Sequence, residues 1–478
     1  MKVLMVASEC APFVKTGGLA DVVGALPGAL APLGVEAHVL LPAYPPLFPL
    51  LPRGKDVAQF DDLPGGPGRL VAVDAQGLKL ILLDMPQLFD RPGGLYSDEH
   101  GQDFTDNAIR FGALAQAAAR AAMGAIDGFS PDVLHAHDWQ AALAPVYLRM
   151  AGVTQPKTIT TIHNIAFQGR FGADEMGRLG LNTDWFHPEG LEFYGDLSFL
   201  KGGLAYSDKI TTVSPTYARE ILTPEFGMGL EGVLQNRAQY LSGLLNGIDT
   251  EIWNPAKDDA LARRFDARSL NRKAENRAAI SERFDLSADS KGPLFCVISR
   301  LTEQKGLDAL LGAVPHLVER GAQLVVLGSG APELEEGFRA AAAQYPGNVG
   351  VFIGYDEPLS HLLQGGSDAI LIPSRFEPCG LTQLYGLRYG TLPVVARTGG
   401  LADTVIDANV AAFQAGVATG FMIDAVNYEA IEVAIGRVIT AYSDTKLWRG
   451  MQRAAMRHDV DWAGSAGAYV ALYESLAG

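Results

Sequence analysis

Short apolar runs alternate along the chain with segments in which apolar residues recur every three or four positions. Residues 3–8 form an apolar run bounded by turn residues, which is typical of a buried parallel strand. After Lys15-Thr16-Gly17-Gly18, apolar residues keep helical spacing from position 19 to position 33, and Pro27 is expected to kink this helix. The order of strand, glycine turn and helix predicts the opening of a βαβ unit.

The same alternation predicts one group of strands in each half of the chain. These strands cover residues 37–41, 78–83, 133–137, 158–163 and 209–213 in the first half, and 294–299, 323–327, 349–353, 369–373 and 393–396 in the second. Strands that alternate with helices form parallel sheets covered on both faces. Because so many strands exceed one sheet of ordinary size, we expect an α/β fold of two Rossmann-like, doubly wound domains.

A six-residue sequence occurs once in each half. Thr16-Gly17-Gly18-Leu19-Ala20-Asp21 recurs as Thr398-Gly399-Gly400-Leu401-Ala402-Asp403. Each copy follows a predicted strand and opens a predicted helix. The repeat therefore reflects either shared loop geometry or free backbone N–H groups at the carboxyl edge of each sheet, where anions bind. Two such edges facing one another predict a cleft between the domains.

The domain boundary is expected near residue 246, at the turn Asn246-Gly247-Ile248-Asp249. The first domain would cover residues 1–246 and the second residues 247–456. We expect the helical segment 457–478 to pack back on the first domain. The length of 478 residues agrees with this division, because it exceeds what one hydrophobic core supports.

Composition narrows the class of protein. With 48% apolar and 19% charged residues, the chain is ordinary for a globular protein. The net charge of −16 argues against a nucleic-acid binder, although a few local cations can still bind a phosphate group. Cys10, Cys296 and Cys379 form no CxxC pair, which favours a reducing compartment. No apolar stretch suits a signal peptide or a ~20-residue membrane span, so we expect a soluble, cytoplasmic protein.

Two cations follow the first strand predicted in the second half. Arg300 and Lys305 would lie at the carboxyl edge of the sheet, where a diphosphate is expected. Arginine offers a bidentate fork and lysine a point charge, a usual pairing for phosphate oxygens. Two solvated surface cations are the alternative interpretation of this pair.

The segment 374–383 follows a later strand in the same way. Its carboxylate, Glu377, can accept hydrogen bonds from sugar hydroxyls. The N–H groups of Gly380, Leu381 and Thr382 open a predicted helix and can point at a phosphate. A glutamate exposed in a turn is the alternative for Glu377 alone.

Histidines end two strands of the first half. His135 and His137 share one face and could bind a metal, but no third ligand is evident. We favour a structural histidine, with Asp138 and Trp139 facing a sugar. His163 ends the next strand and is either functional or a core histidine.

Six segments resemble, in order and spacing, the signature segments of bacterial glycogen synthases and plant starch synthases. They are Lys15-Thr16-Gly17-Gly18-Leu19, His135-Ala136-His137-Asp138-Trp139, Thr161-Ile162-His163-Asn164, Asn246-Gly247-Ile248-Asp249, Arg300-Leu301-Thr302-Glu303-Gln304-Lys305-Gly306 and 374–383. The resemblance covers essentially the whole chain. It implies a GT-B fold and transfer of glucose from ADP-glucose, with retention of configuration, to the non-reducing-end 4-hydroxyl of an α-1,4-glucan such as glycogen.

The resemblance also implies roles for individual residues. The implied catalytic residues are Lys15, Asp138, His163, Arg300, Lys305 and Glu377. The implied donor-binding residues are Gly17, Gly18, Asn246, Tyr355 as a platform for adenine, Cys379, Gly380, Leu381 and Thr382. Tyr96 and Trp139 resemble aromatic residues that stack on the acceptor, and neither a metal nor a cofactor is implied.

One position departs from the wider group of retaining glycosyltransferases. Many carry two glutamates separated by seven residues, whereas Tyr385 stands at the second position here, as it does in glycogen synthases. Glu377 would therefore act without a paired carboxylate. Lys15, Arg300 and Lys305 could absorb the charge of the leaving diphosphate without a divalent ion. We favour attack from the face that the diphosphate leaves, because no motif supplies a carboxylate for a covalent intermediate; both routes stay open.

Other functions fit the sequence less well. Another GT-B transferase, such as a sucrose- or trehalose-phosphate-type synthase, is the nearest rival. Phosphorylases are much longer and carry a pyridoxal-phosphate lysine segment that is not recognisable here. A non-catalytic glucan-binding protein would not need this set of cations together with Glu377. A dinucleotide dehydrogenase is disfavoured because Gly328-Ser329-Gly330 does not continue into GxGxxG. The oligomeric state stays open.

Overall fold

The computed structural model describes residues 1–477, which divide into two compact units. The first unit comprises Met1–Asn246 and the last helix of the chain, and the second comprises Gly247–Asp461. Within residues 1–477, no helix is long and apolar enough to cross a membrane.

The first unit is built around a large sheet and a small one. Its strands are β1 Lys2–Val6, β2 Glu36–Pro42, β3 Lys55–Leu63, β4 Gly66–Ala75, β5 Leu78–Asp84, β6 Val133–His137, β7 Lys157–Ile162, β8 Arg170–Gly172, β9 Glu192–Phe193, β10 Asp196–Ser198, β11 Lys209–Thr212 and β12 Leu241–Gly243. Within the described range the large sheet has the order β12-β11-β7-β6-β1-β2-β5-β4-β3, and β8, β10 and β9 form the small antiparallel sheet.

Parallel pairing from β12 to β5 confirms the predicted doubly wound sheet. The hairpin β3–β4, which extends it antiparallel to β5, was not predicted. Lys55–Leu63 is largely exposed and rich in charged residues, as suits an outer strand with one face in water. Such a strand lacks the apolar run by which the buried strands are recognised.

Helices cover the sheet and connect its strands. In the first unit these are α1 Gly18–Leu30, α2 Pro86–Phe89, α3 Asn107–Arg120, α4 Asp138–Ala141, α5 Leu143–Met150, α6 Glu175–Arg178, α7 Phe199–Tyr206, α8 Pro215–Glu220 and α9 Glu231–Asn236. Helix α1 continues through Pro27 to Leu30, so the proline does not end it.

The second unit holds one parallel sheet in the order β15-β14-β13-β16-β17-β18. Its strands are β13 Leu294–Ile298, β14 Gln323–Gly328, β15 Val349–Ile353, β16 Ala369–Ile372, β17 Leu392–Ala396 and β18 Phe421–Ile423. Alternate residues of β13 enter two separate cores: Phe295 and Val297 pack in one, Leu294 and Cys296 in the other. The sheet is therefore covered on both faces, as the continuous apolar strands predict.

The helices of the second unit provide this cover. They are α10 Lys273–Arg283, α11 Leu307–Glu319, α12 Pro332–Gln344, α13 Glu357–Gly366, α14 Thr382–Tyr389, α15 Gly399–Thr404, α16 Val410–Ala415, α17 Tyr428–Ser443 and α18 Thr445–Arg457. The last helix, α19 Trp462–Ala477, belongs to the first unit and packs on α1. The second unit extends to Asp461, so the return begins a few residues later than the predicted 457.

Candidate active site

A buried ion pair lies at the carboxyl edge of the second unit's sheet. Lys305 follows β13 and Glu377 follows the neighbouring β16, and Lys305 Nζ lies 2.5 Å from Glu377 Oε2. Ser374 donates to the same oxygen at 3.0 Å. Two residues that the sequence assigned separately to phosphate and to sugar are thus in direct contact. Ser374 was not among the predicted site residues.

The loop that carries Lys305 is fixed against the loop that carries Glu377. Gln304 accepts the N–H of Arg375 at 2.8 Å and donates from Nε2 to Phe376 O at 3.1 Å. Gly306 has a φ of +66°, and a Cβ there would lie 1.9 Å from Pro373 O. The position therefore requires glycine, which allows the two loops to approach closely.

Arg300 is exposed on the same loop, and its guanidinium makes no hydrogen bond or ion pair within residues 1–477. Tyr355 follows β15 and is 79% exposed, with its hydroxyl donating to Glu357 Oε2 at 2.8 Å. Both side chains are thus exposed, and their roles in binding the donor stay predictions.

The N-terminus of α14 supplies backbone donors beside the ion pair. The N–H groups of Gly380 and Leu381 donate to no described residue. Gln383 holds this turn by donating from Nε2 to Cys379 O at 3.1 Å and Gly380 O at 2.9 Å. Thr382 begins the helix. These are the geometric requirements of an anion site at a helix N-terminus.

The second copy of the repeated sequence serves packing instead. The N–H of Gly400 donates to Glu377 O at 3.2 Å and to Pro378 O at 3.1 Å. A Cβ at Gly399 would lie 1.9 Å from Glu377 O, and one at Gly400 would lie 2.2 Å from Cys379 O. The expectation of free N–H groups in this copy was wrong for Gly400, because the loop bearing Glu377 rests on it.

Glu9, which the sequence analysis missed, organises the first copy. Its carboxylate accepts the N–H of Thr16 at 2.6 Å, the N–H of Gly17 at 3.2 Å and the hydroxyls of Thr16 and Tyr96. The N–H of Gly17 is therefore not free, contrary to the prediction. A single glutamate after a strand carries no pattern by which it would be found in the sequence.

The space in front of this turn is open. A Cβ at Gly17 or Gly18 would meet no atom within 4 Å. Lys15 is half exposed and pairs with Asp21 at 2.7 Å. Because packing within the protein does not require these glycines, close approach of a ligand to the backbone explains them better.

Asp138 and His163 meet at the carboxyl ends of β6 and β7. Asp138 Oδ1 accepts the N–H of His163 at 2.7 Å, and Asp138 has a φ of +56°. Burial raises the pKa of Asp138 to about 7, although N–H donors from His163 and Asn164 act in the opposite direction. Such backbone strain in a non-glycine residue clusters at functional sites.

Protein partners occupy both ring nitrogens of His135 and one ring nitrogen of His137. His135 bonds Tyr473 through Nδ1 at 2.9 Å and Thr161 through Nε2 at 2.6 Å, and His137 Nδ1 lies 3.0 Å from His163 Nε2. Over residues 1–477 no group of three or more His, Cys, Asp and Glu side chains is placed to hold a metal ion.

The remaining predicted residues of the first unit are largely enclosed. Trp139 is 9% exposed, with its ring packed on Phe111, Phe171 and Phe199. Stacking on a sugar needs an open ring face, so the structure does not support the acceptor role predicted for Trp139. The hydroxyl of Tyr96 donates to Glu9 at 2.5 Å and lies 2.7 Å from Ser8 Oγ, so Tyr96 braces the same loop. Asn246 is buried, and its Oδ1 has no described partner.

Comparison with known proteins agrees with the fold. Residues 2–236 match the family described as starch synthase catalytic domain, and residues 279–455 match glycosyl transferases group 1. Sucrose-phosphate synthase from Thermosynechococcus elongatus shares the fold, with a TM-score of 0.61 at 17% identity over 99% of this chain and 98% of that chain. The two α/β units therefore define a GT-B glycosyltransferase.

Closer relatives narrow this class. A glycogen synthase of Roseobacter denitrificans is 60% identical over 100% of both chains. The catalytic domain of starch synthase IV from Arabidopsis thaliana, solved with ADP and acarbose, is 32% identical over 99% of both chains, with a TM-score of 0.87. The chain belongs to the glycogen and starch synthase family.

Proposed function

We propose that this chain elongates an α-1,4-glucan with glucose from ADP-glucose, with retention of configuration, in glycogen biosynthesis. The bond between C1 and the diphosphate breaks, and a bond forms from C1 to the 4-hydroxyl oxygen of the acceptor. ADP leaves with the bonding electrons, and the acceptor proton passes to the departing phosphate oxygen.

The observation that supports this best is the pairing of Lys305 with Glu377 beside exposed Arg300. Lys305 is held in the ion pair and Arg300 is exposed. These two cations and the helix N-terminus at Leu381 and Thr382 suit a leaving diphosphate. Oε1 of Glu377 has no hydrogen-bond partner among the described residues, so it can accept hydrogen bonds from hydroxyls of the transferred sugar.

We assign the nucleotide-sugar side to the second unit and the acceptor side to the first. The starch synthase IV structure is bound to ADP and acarbose, and a bound nucleoside diphosphate is in keeping with a nucleotide-sugar donor. Lys15, Asp138, His163 and Asn246 retain the roles that the family resemblance implies.

A donor screen tests the proposal. The purified chain is incubated with ADP-glucose or UDP-glucose and one acceptor at a time: glycogen, fructose 6-phosphate or glucose 6-phosphate. The released nucleoside diphosphate is compared with the glucose transferred to each acceptor. We expect ADP release equal to incorporation. Transfer only to fructose 6-phosphate or glucose 6-phosphate would instead favour the rival class of synthases, and binding of glycogen without turnover would favour a glucan-binding protein.

A further inference from the structure

A row of buried rings connects the last helix of the first unit to His163. Tyr473 on α19 bonds His135 Nδ1 at 2.9 Å. The ring of His135 stacks on that of His137, with centroids 4.1 Å apart. His137 in turn reaches His163 with 3.0 Å between Nδ1 and Nε2. The proposed function gives a role to His163 but leaves His137 without one.

Burial disfavours the charged form of all three histidines. Burial lowers the pKa of His135 and of His163 to about 3, and it lowers the pKa of His137 well below its ordinary value. A neutral imidazole carries one N–H and one bare nitrogen. The hydrogen bond between His137 and His163 therefore has two arrangements, because either ring can be the donor.

The other nitrogen of His137 distinguishes these arrangements. His137 Nε2 is buried and has no hydrogen-bond partner within residues 1–477. If His163 were the donor, the proton of His137 would lie on this nitrogen as a buried N–H without an acceptor. Orphaned buried N–H groups are rarer in proteins than under-satisfied acceptors. Donation from His137 Nδ1 to His163 Nε2 is therefore the favoured arrangement.

We propose that His137 is a positioning residue that holds His163 in the tautomer with its proton on Nδ1. His163 Nδ1 bonds no described residue, and the residue remains 9% exposed. Its backbone is fixed by the bond from its N–H to Asp138. The inference rests on the proposed function and makes it more specific: His163 Nδ1–H would donate to a hydroxyl oxygen of the transferred glucose.

His135 and Tyr473 support this arrangement on the side of His137 where its ring stacks on that of His135. Both nitrogens of His135 are engaged, Nδ1 with Tyr473 and Nε2 with Thr161 at 2.6 Å, so its ring is fixed as a platform. The ring of His137 stacks on this platform, with an angle of 28° between the ring planes. Helix α19, at the end of the chain, thereby supports the position of His163 through His135 and His137.

The tautomer can be measured without turnover. In the full chain labelled with 15N-histidine, NMR separates protonated from bare ring nitrogens, and His163→Gln assigns the signals. We expect His163 to carry its proton on Nδ1. Protonation of His163 on Nδ1 should persist in His137→Asn, because the amide can still donate a hydrogen bond. It should be lost in His137→Leu, which has no donor. Protonation of His163 on Nε2 in the unaltered protein would overturn the proposal.

Kinetics give an independent test. His137→Leu should lower kcat about tenfold, as for one lost hydrogen bond, with ADP affinity and Tm nearly unchanged, and His137→Asn should restore most of the loss. His38→Leu, at the start of β2, is the control and should leave kcat unaltered. Full kcat in His137→Leu would refute the role. If the unaltered chain did not consume ADP-glucose, the proposed function would fail, and the NMR result would still decide the tautomer.

Discussion

Lys305 Nζ lies 2.5 Å from Oε2 of Glu377, although 72 positions separate the two residues in sequence. The side chains are only 18% and 11% exposed, so their attraction is screened less than that of a surface pair. Ser374 donates to the same oxygen and leaves Oε1 to a ligand. The groups proposed to bind phosphate and sugar are therefore coupled, and a change in one acts on the other.

Removing either donor-side cation should slow catalysis without unfolding the protein. Losing one contact to the charge that develops on the diphosphate costs about 3–4 kcal/mol, or roughly 100- to 1,000-fold in kcat. We expect this for Arg300→Ala and Lys305→Ala, measured as ADP release at saturating ADP-glucose. Arg268→Ala, whose side chain is 94% exposed, is the control. Near-normal kcat in either variant would show that the leaving-group assignment is wrong.

Glu377→Gln should act mainly on kcat. The amide keeps the shape of the side chain but removes the charge, which matters most when the sugar becomes cation-like. Lys305, released from its ion pair, remains available to the diphosphate, so ADP affinity should be kept or should rise. Calorimetric titration with ADP beside steady-state kinetics separates these effects. Unimpaired turnover, or weaker ADP binding alone, would indicate a structural or nucleotide-binding role.

The repeated sequence offers a matched pair of glycine variants. Gly18→Ala meets no atom within 4 Å, and alanine favours a helix over glycine by about 0.5–1 kcal/mol, so stability should hold or rise. Activity should fall, because a methyl group would occupy the space proposed for the donor phosphates. Gly400→Ala places a Cβ 2.2 Å from Cys379 O and should destabilise the fold by about 1–3 kcal/mol.

Urea unfolding and kcat of the two variants test this contrast. Equal losses of stability in the two variants would mean that both copies of the repeat serve only to pack the fold. A fully active Gly18→Ala enzyme would contradict the proposal that the donor phosphates bind at this turn.

Much of the fold was predictable because buried parallel strands are short apolar runs. Strands β6 and β15 have the predicted bounds, since both faces of each are covered. Strand β3 was missed because its exposed, charged residues resemble loop sequence, whereas β4 was missed although it contains a short apolar run at residues 70–73. Strands β8 to β10 have only two or three residues each, which is too short for a recognisable local pattern.

The candidate site was predictable only in part. Arg300, Lys305 and Glu377 could be proposed from the sequence because they follow predicted strands at the sheet edge where ligands usually bind. Their mutual contact could not be proposed, because the sequence does not determine where two loops meet. Glu9 and Ser374 were missed for the same reason, since each acts through a neighbour rather than a motif. Trp139 was placed on the acceptor from its motif alone, whereas tertiary packing encloses it.

Asp138 should make stability depend on pH. Burial raises its pKa to about 7, from 3.8 in the ordinary carboxyl, so between these values the folded chain holds a proton that the unfolded chain has lost. The stabilisation from this group is complete below the lower value and is lost as pH rises through about 7. Asp138→Asn mimics the protonated form and tolerates the positive φ.

Urea unfolding of the unaltered chain and of Asp138→Asn at pH 5 and pH 8 measures the contribution of Asp138 to stability. The free energy of unfolding of the unaltered chain should decline relative to that of Asp138→Asn as pH rises. Parallel profiles would show that Asp138 is ionised throughout this range.

The linkage formed by the enzyme tests the central claim most directly. ADP-glucose carrying 13C at C1 of glucose is incubated with a maltooligosaccharide, and the product is analysed by NMR after limited turnover. The account predicts that the label enters an α-1,4 linkage at the non-reducing end, with one ADP released for each glucose transferred. A β linkage, attachment at another hydroxyl or at the reducing end, or release of free labelled glucose without chain growth would contradict it.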